Sequence, residues 1–212
     1  MQKKAIKNIA AIVLLLVVAY NSVYFKKLDE VKAAAVSKEF DAVTYASNYL
    51  TVKLTPQLSN AIELQELIQK VHAEPESTFQ KYSHALGIGN IKYFLVKGEG
   101  VITAIGDDAV SLLLKNDSAQ KEIKIATEFV FGNAVRDASG LININEFNNT
   151  MDFNNVSAEI NKIIRSEVLP PFKSRVKKGD LVQFAGAIEL NQAHVSLEEI
   201  EVVPVGLKIV KQ

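Results

Sequence analysis

Residues 135–147 (Val-Arg-Asp-Ala-Ser-Gly-Leu-Ile-Asn-Ile-Asn-Glu-Phe) carry oxygen donors at spacings close to those of an EF-hand calcium loop. Aligned on Gly140 for the sharp turn, Asp137, Ser139, Asn143 and Glu146 fall at ligand positions and Ile142 at the buried one. The first ligand position falls on Val135, which offers only backbone, and losing a carboxylate there cripples calcium affinity. An Asp-anchored turn followed by a short helix is expected instead, with no metal bound. The carboxylates Glu122, Glu128, Asp137, Asp152 and Glu159 would support glycosidase chemistry if two of them converged across a cleft. Sequence does not pair them, and each is expected as a solvated charge.

Amides are conspicuous between residues 143 and 155: Asn143, Asn145, Asn148, Asn149, Asn154 and Asn155. Amides donate and accept as sugar hydroxyls require, yet asparagine is also the ordinary residue of turns and caps, and that structural role is favoured here. His72 and His84 have no second histidine at the helical spacing a metal site uses, and His194 stands alone in the C-terminal half. No His-Glu-x-x-His, Gly-x-Ser-x-Gly, phosphate loop or dinucleotide fingerprint occurs, so neither an enzyme nor a cofactor is expected.

The 212 residues, 48% hydrophobic and 23% charged, suffice for one principal domain with a helical prefix. Twenty-four basic residues balance 24 acidic ones, which leaves no global field to draw nucleic acid. There is no cysteine, hence no disulfide, no thiolate site and no thiol to carry a lipid. Membrane attachment must therefore be made by peptide. Lys3, Lys4 and Lys7 precede an apolar run over 9–20, the order of an export signal, and positive-inside bias leaves those lysines in the cytoplasm. Twelve residues span only ~18 Å at helical rise. The run resumes, however, with Val23, Tyr24 and Phe25 before Lys26 and Lys27, so an uncleaved anchor over 9–25 is preferred to cleavage after Ala19.

From there to about residue 86 the pattern is helical. Ala42, Tyr45, Ala46, Tyr49 and Leu50 make one stripe, Thr55-Pro56 stops that helix and starts another bearing Leu64, Leu67, Ile68 and Val71, and Pro75 opens a third with Phe79 and Tyr82. Past Gly87-Ile88-Gly89-Asn90 the period becomes extended. Three strands are expected over 91–127, the first long and carrying Gly98 and Gly100. Phe153, Val156, Ile160, Ile163 and Ile164 form a helix ended by Pro170-Pro171. Strands return over 180–190, then as a pair over 195–203 and 205–210 split by Pro204. This order predicts an α+β chain: an anchor (1–27), a helical stalk or helical subdomain (28–90), and an OB-like β-barrel with an inserted helix (91–212). In such a barrel Gly98 and Gly100 let the first strand bend and serve both halves. Arg136-Asp137 would either tie the turn to the barrel rim or offer a forked guanidinium to a ligand, and the tie is favoured.

Residues 94–101 with Gly98-x-Gly100, residues 132–140 around Arg136-Asp137, Phe147-Asn148-Asn149, Asn161, the strand over 179–187 and Pro204-Val205 resemble a family of uncharacterised predicted periplasmic lipoproteins. These carry a domain of unknown function and are often encoded beside sugar ABC transporters. The sequence departs from the family pattern in lacking the lipidated cysteine and in having Thr150 where glutamine is expected. The resemblance implies an accessory module and no established catalysis. Together these readings predict a binding or interaction module in the periplasm, held at the inner membrane by its N-terminal helix, with Arg136, Asp137, Asn149 and Asn161 as ligand-binding candidates. A carbohydrate or an ABC-transporter component would be its partner, and nucleic acid would not. The alternatives are an envelope glycan hydrolase using paired carboxylates and a self-associating structural protein of the envelope.

Overall fold

The computed structural model describes residues 2–22, 27, 40–115 and 120–210. They belong to two compact units, Met1–Phe40 and Asp41–Gln212. In the first unit α1 (Gln2–Ser22) has its lysines in the first two turns and its apolar stretch after them, with the Ser22 hydroxyl donating back to the Val18 carbonyl at 2.6 Å. No helix among the described residues is long and apolar enough to cross a membrane. The membrane-spanning anchor expected over 9–25 is therefore not supported by α1, which starts earlier, at Gln2, and has only the 9–20 run as its apolar part. Val23, Tyr24 and Phe25 lie outside the described residues.

The second unit opens with α2 (Ala42–Asn48), capped by Asp41, whose carboxylate accepts from the Thr44 amide at 3.0 Å and the Thr44 hydroxyl at 2.6 Å. Thr55-Pro56 does not break the helical path as its sequence suggests. A π-helical stretch, Tyr49–Leu54, widens the turn ahead of the proline and leads into single turns at Thr55–Gln57 and Leu58–Asn60. Proline has no N–H to donate, and the wider turn absorbs that loss. Thr55 compensates, its hydroxyl reaching the Leu50 carbonyl at 2.7 Å. After the short strand β1 (Ile62–Glu63) come α3 (Leu64–Ala73), which buries Leu64, Leu67 and Val71, and α4 (Pro75–Tyr82), which buries Thr78 and Phe79. The helices expected over 28–90 as a stalk or subdomain lie, from residue 42 on, in the same compact unit as the barrel.

After β2 (Ser83–His84) the barrel strands are β3 (Ile91–Ile105), β4 (Ala109–Leu114), β5 (Glu122–Ala126), β6 (Leu181–Asn191) and β7 (Glu201–Val210). Between β5 and β6 lie α5 (Ala134–Asp137), a 3-10 turn at Ile144–Glu146, α6 (Thr150–Ile163) and α7 (Leu169–Lys173). Strand order β3-β4-β5-β7-β6 closes because β3 pairs β4 at one end and β6 along most of its length, giving a five-stranded barrel. All barrel pairs are antiparallel except β5 with β7, where Lys124 faces Glu201 and Ile125 faces Val202. That parallel closure, with the helical insertion between the third and fourth strands, is the OB arrangement.

Two further proline expectations change. Pro170-Pro171 does not end the long helix: a second π-helical stretch, Ile164–Val168, precedes them and both sit in the first turn of α7. Pro204 does not split the last strand either. β7 runs straight through it, and the register slips opposite Ala185 and Gly186, so the missing donor falls at a bulge. Gly186 is required there because a Cβ would overlap the Val203 carbonyl oxygen.

The core joins barrel to helices. Phe94, Val96, Leu112, Ile123, Ile125, Val182 and Phe184 point inward and pack with Leu64, Leu67, Val71 and Phe79. Phe79 meets Phe94 edge-on at 5.1 Å between centroids.

Candidate functional site

Arg136 and Asp137 are neighbours on α5, and only 2% and 1% of their side chains are exposed. Arg136 Nε donates to Asp137 Oδ1 at 2.6 Å and Nη2 to Oδ2 at 3.2 Å, a bidentate pair formed between adjacent residues. The guanidinium lies 3.5 Å from the centre of the Phe153 ring on α6, and Nη1 donates to the Phe153 carbonyl at 3.4 Å. Asp137 Oδ2 accepts the Leu86 amide at 3.2 Å, which ties the start of the barrel to the inserted helices. Tyr49 closes the cluster from the first helical stretch. Its hydroxyl donates to the Val135 carbonyl at 2.8 Å and meets Ser139 Oγ at 2.8 Å. Burial raises the Tyr49 phenol well above its ordinary range, with the Asp137 charge adding to that.

The other two candidates are elsewhere. Asn149 is an exposed cap: its Oδ1 accepts the Asp152 amide at 2.8 Å and opens α6. Asn161, 12 residues later on the same helix and so ~18 Å away at helical rise, is buried and donates to the Gly132 carbonyl at 2.9 Å. The structure therefore brings Arg136 and Asp137 together and leaves Asn149 and Asn161 at opposite ends of α6.

The calcium-like loop has its oxygens engaged within the chain. Asn143 caps the 3-10 turn by accepting the Asn145 amide, while Glu146 accepts the Asn143 amide at 3.2 Å and the Tyr45 hydroxyl at 2.7 Å. The carboxylates weighed for hydrolysis have local partners: Glu122 the Thr103 hydroxyl, Glu128 Lys173, Asp152 the Asn149 amide, Glu159 Lys162.

A groove crosses the outer face of the barrel instead. Two adjoining depressions of about 510 and 540 Å³ share Glu63, Gly98 and Glu99. Strand register builds its floor: Glu99 faces Gln183, which faces Lys208, and Lys97 faces Ala185, which faces Gly206, so one outward row spans β3, β6 and β7. Ala185 and Gly206 keep the floor low, and the Leu58–Asn60 turn with α3 forms the wall, adding Ser59, Gln65, Glu66 and Gln69. Glu99 is fixed by the Lys115 ammonium at 2.6 Å and the Gln183 amide at 2.9 Å, and these two contacts hold its carboxyl below the usual range. Lys97 reaches the Ser59 carbonyl at 2.6 Å. Nothing in the sequence assembles this groove, because its parts come from residues 58–69, 97–115, 183–185 and 206–208. The sequence signal for it is Gln183, a polar residue between the core positions Val182 and Phe184 on β6.

A family model described as a predicted periplasmic lipoprotein, DUF2291, matches residues 13–208. The chain belongs to this family. A crystal structure of an OB-fold protein from Thermotoga maritima is similar to this DUF2291 chain at 27% identity, with a TM-score of 0.72, over 82% of this chain and 100% of that one. No curated protein matches it. Membership places the chain among predicted lipoproteins of the cell envelope, although none of the 212 residues is a cysteine that would carry the lipid. In this DUF2291 chain the Arg136-Asp137 pair sits where barrel, first helical stretch and inserted helices meet.

Proposed function

We propose that residues 41–212 form a non-catalytic binding module of the periplasm that takes a polar, hydroxyl-rich ligand, a carbohydrate, in the groove over Gly98. The observation carrying this reading is the row of carboxylate, amide and ammonium groups on adjacent strands, Glu99, Gln183 and Lys208, over a floor of small residues. Strands ~4.8 Å apart set those groups at a spacing suited to neighbouring sugar hydroxyls, which accept from ammonium and amide and donate to carboxylate. Glu99 is not poised as a general acid, which needs a raised pKa, because Lys115 and Gln183 lower this one. The Arg136-Asp137 pair, buried and satisfied, serves as the clamp that holds the scaffold.

In this reading the lysine-then-apolar order of α1 supports export, with the N-terminal segment at the inner membrane and a sugar ABC transporter as the partner, as the family resemblance implies. A reporter fused after Gln212 that works only in the cytosol would overturn that placement. The ligand claim is tested by calorimetry with neutral oligosaccharides such as maltotriose and chitobiose. Binding to at least one, weakened about tenfold by Gln183→Leu, is expected; loss of a satisfied hydrogen-bonding group at such a site costs on that order. Because the Glu99 pKa is lowered, its ionised form is complete at neutral pH and persists to lower pH than that of an ordinary glutamate. Affinity should therefore fall at a lower pH than an unperturbed glutamate would give. No binding across the panel, or binding indifferent to Gln183, sinks the groove reading.

A further inference from the structure

Phe129 and Phe131 are 59% and 62% exposed, yet Val130 between them is fully buried. With Val130 turned inward, both rings stand out from the loop and stack with centroids 6.3 Å apart. This loop is pinned. Arg165 donates to the Val130 carbonyl and sets its guanidinium 5.2 Å from the Phe131 ring, and Lys173 reaches the Thr127 carbonyl at 3.3 Å and Glu128 at 2.8 Å. The rings are thus held out in water by a fixed loop, an arrangement that a core has no use for.

Charge decides what meets them. Arg165 and Lys173 are the cations that contact the loop, and they belong to a segment, residues 159–180, with six basic side chains (Lys162, Arg165, Lys173, Arg175, Lys177, Lys178) and three acidic (Glu159, Glu167, Asp180), so 6 − 3 = +3 in a chain whose formal net charge is zero. Facing acids are few: Glu128 is taken by Lys173 and Glu159 by Lys162, and among the described residues no carboxylate forms an ion pair with Arg165. Exposed aromatics flanked by cations suit the interfacial layer of an anionic bilayer, where rings enter the headgroup and acyl boundary and guanidinium and ammonium groups meet phosphate.

The geometry points to the 127–131 loop as a lipid-docking prong: Phe129 and Phe131 insert into an anionic membrane surface, with Arg165 against the phosphates. None of these residues belongs to the groove, so the two readings stand or fall separately. The chain contains no tryptophan, which makes a single introduced indole an unambiguous reporter. The full chain carrying Phe131→Trp is mixed with vesicles of phosphatidylcholine alone or with phosphatidylglycerol brominated near the acyl carbonyl. On the anionic vesicles its emission should shift to the blue and fall at least twofold, with little change on phosphatidylcholine, and Arg165→Gln in the same background should reverse most of the loss. Ile88→Trp, on the exposed loop before β3, should stay unquenched. Unchanged Phe131→Trp emission on anionic vesicles overturns the proposal, as does equal quenching of Ile88→Trp, which would assign the contact to the N-terminal segment alone. A blue shift that grows with protein concentration without lipid also overturns it, in favour of a second copy as occupant.

Discussion

Arg136 and Asp137 meet side by side, so the pair needs no distant partner to satisfy its charges, and burial then makes it costly to disturb. An ionised group left without its partner in such a place typically costs about 3–5 kcal/mol. Asp137→Asn leaves the Arg136 guanidinium buried beside a neutral amide and also weakens the bond to the Leu86 amide. Urea unfolding should show a loss on that scale, whereas affinity for a groove ligand in the surviving folded protein should change little. A change below 1 kcal/mol would mean that the pair is not the clamp described. This part was legible in sequence as one of two readings of Arg-Asp before a Ser-Gly turn; burial, which separates them, depends on Tyr49 and Phe153 arriving from distant segments.

Along the elements, the bend of β3 is set by two glycines that differ in what surrounds them. A Cβ at Gly98 would lie 2.6 Å from the tip of the Phe184 ring, whereas one at Gly100 would lie 2.5 Å from the Leu113 carbonyl oxygen. A side chain can rotate away and a hydrogen-bonded backbone cannot. Gly98→Ala should therefore cost about 1–3 kcal/mol, the usual range for overpacking, and Phe184→Leu should recover part of it. Gly100→Ala should cost more and gain nothing from Phe184→Leu. Thermal unfolding of the four variants checks this, and equal costs with equal rescue would contradict it. The strands, their order and the inserted helix could be anticipated because periods of 2 and 3.6 residues are local properties. Pro56, Pro170 and Pro204 suggest stops for an equally local reason, the missing N–H. Tertiary packing kept each element running, through two π-helical turns and one bulge. Those compensations leave no mark in the sequence near the prolines.

At the scale of the molecule, the barrel gives a rigid outer face and the helices give it a wall, so a groove appears where neither element alone has one. Family membership and the OB likeness fix the kind of scaffold; in the proposed function the groove's polar row is what would meet a ligand. Backbone amide spectra of the labelled protein, titrated with whichever oligosaccharide calorimetry shows to bind, test that account most directly. Shifts are predicted at Lys97, Glu99, Gln183, Ala185, Gly206 and Lys208, with Arg136, Asp137 and Asn161 unmoved. Shifts centred on Arg136 and Asp137, with the β3, β6 and β7 row silent, would contradict it.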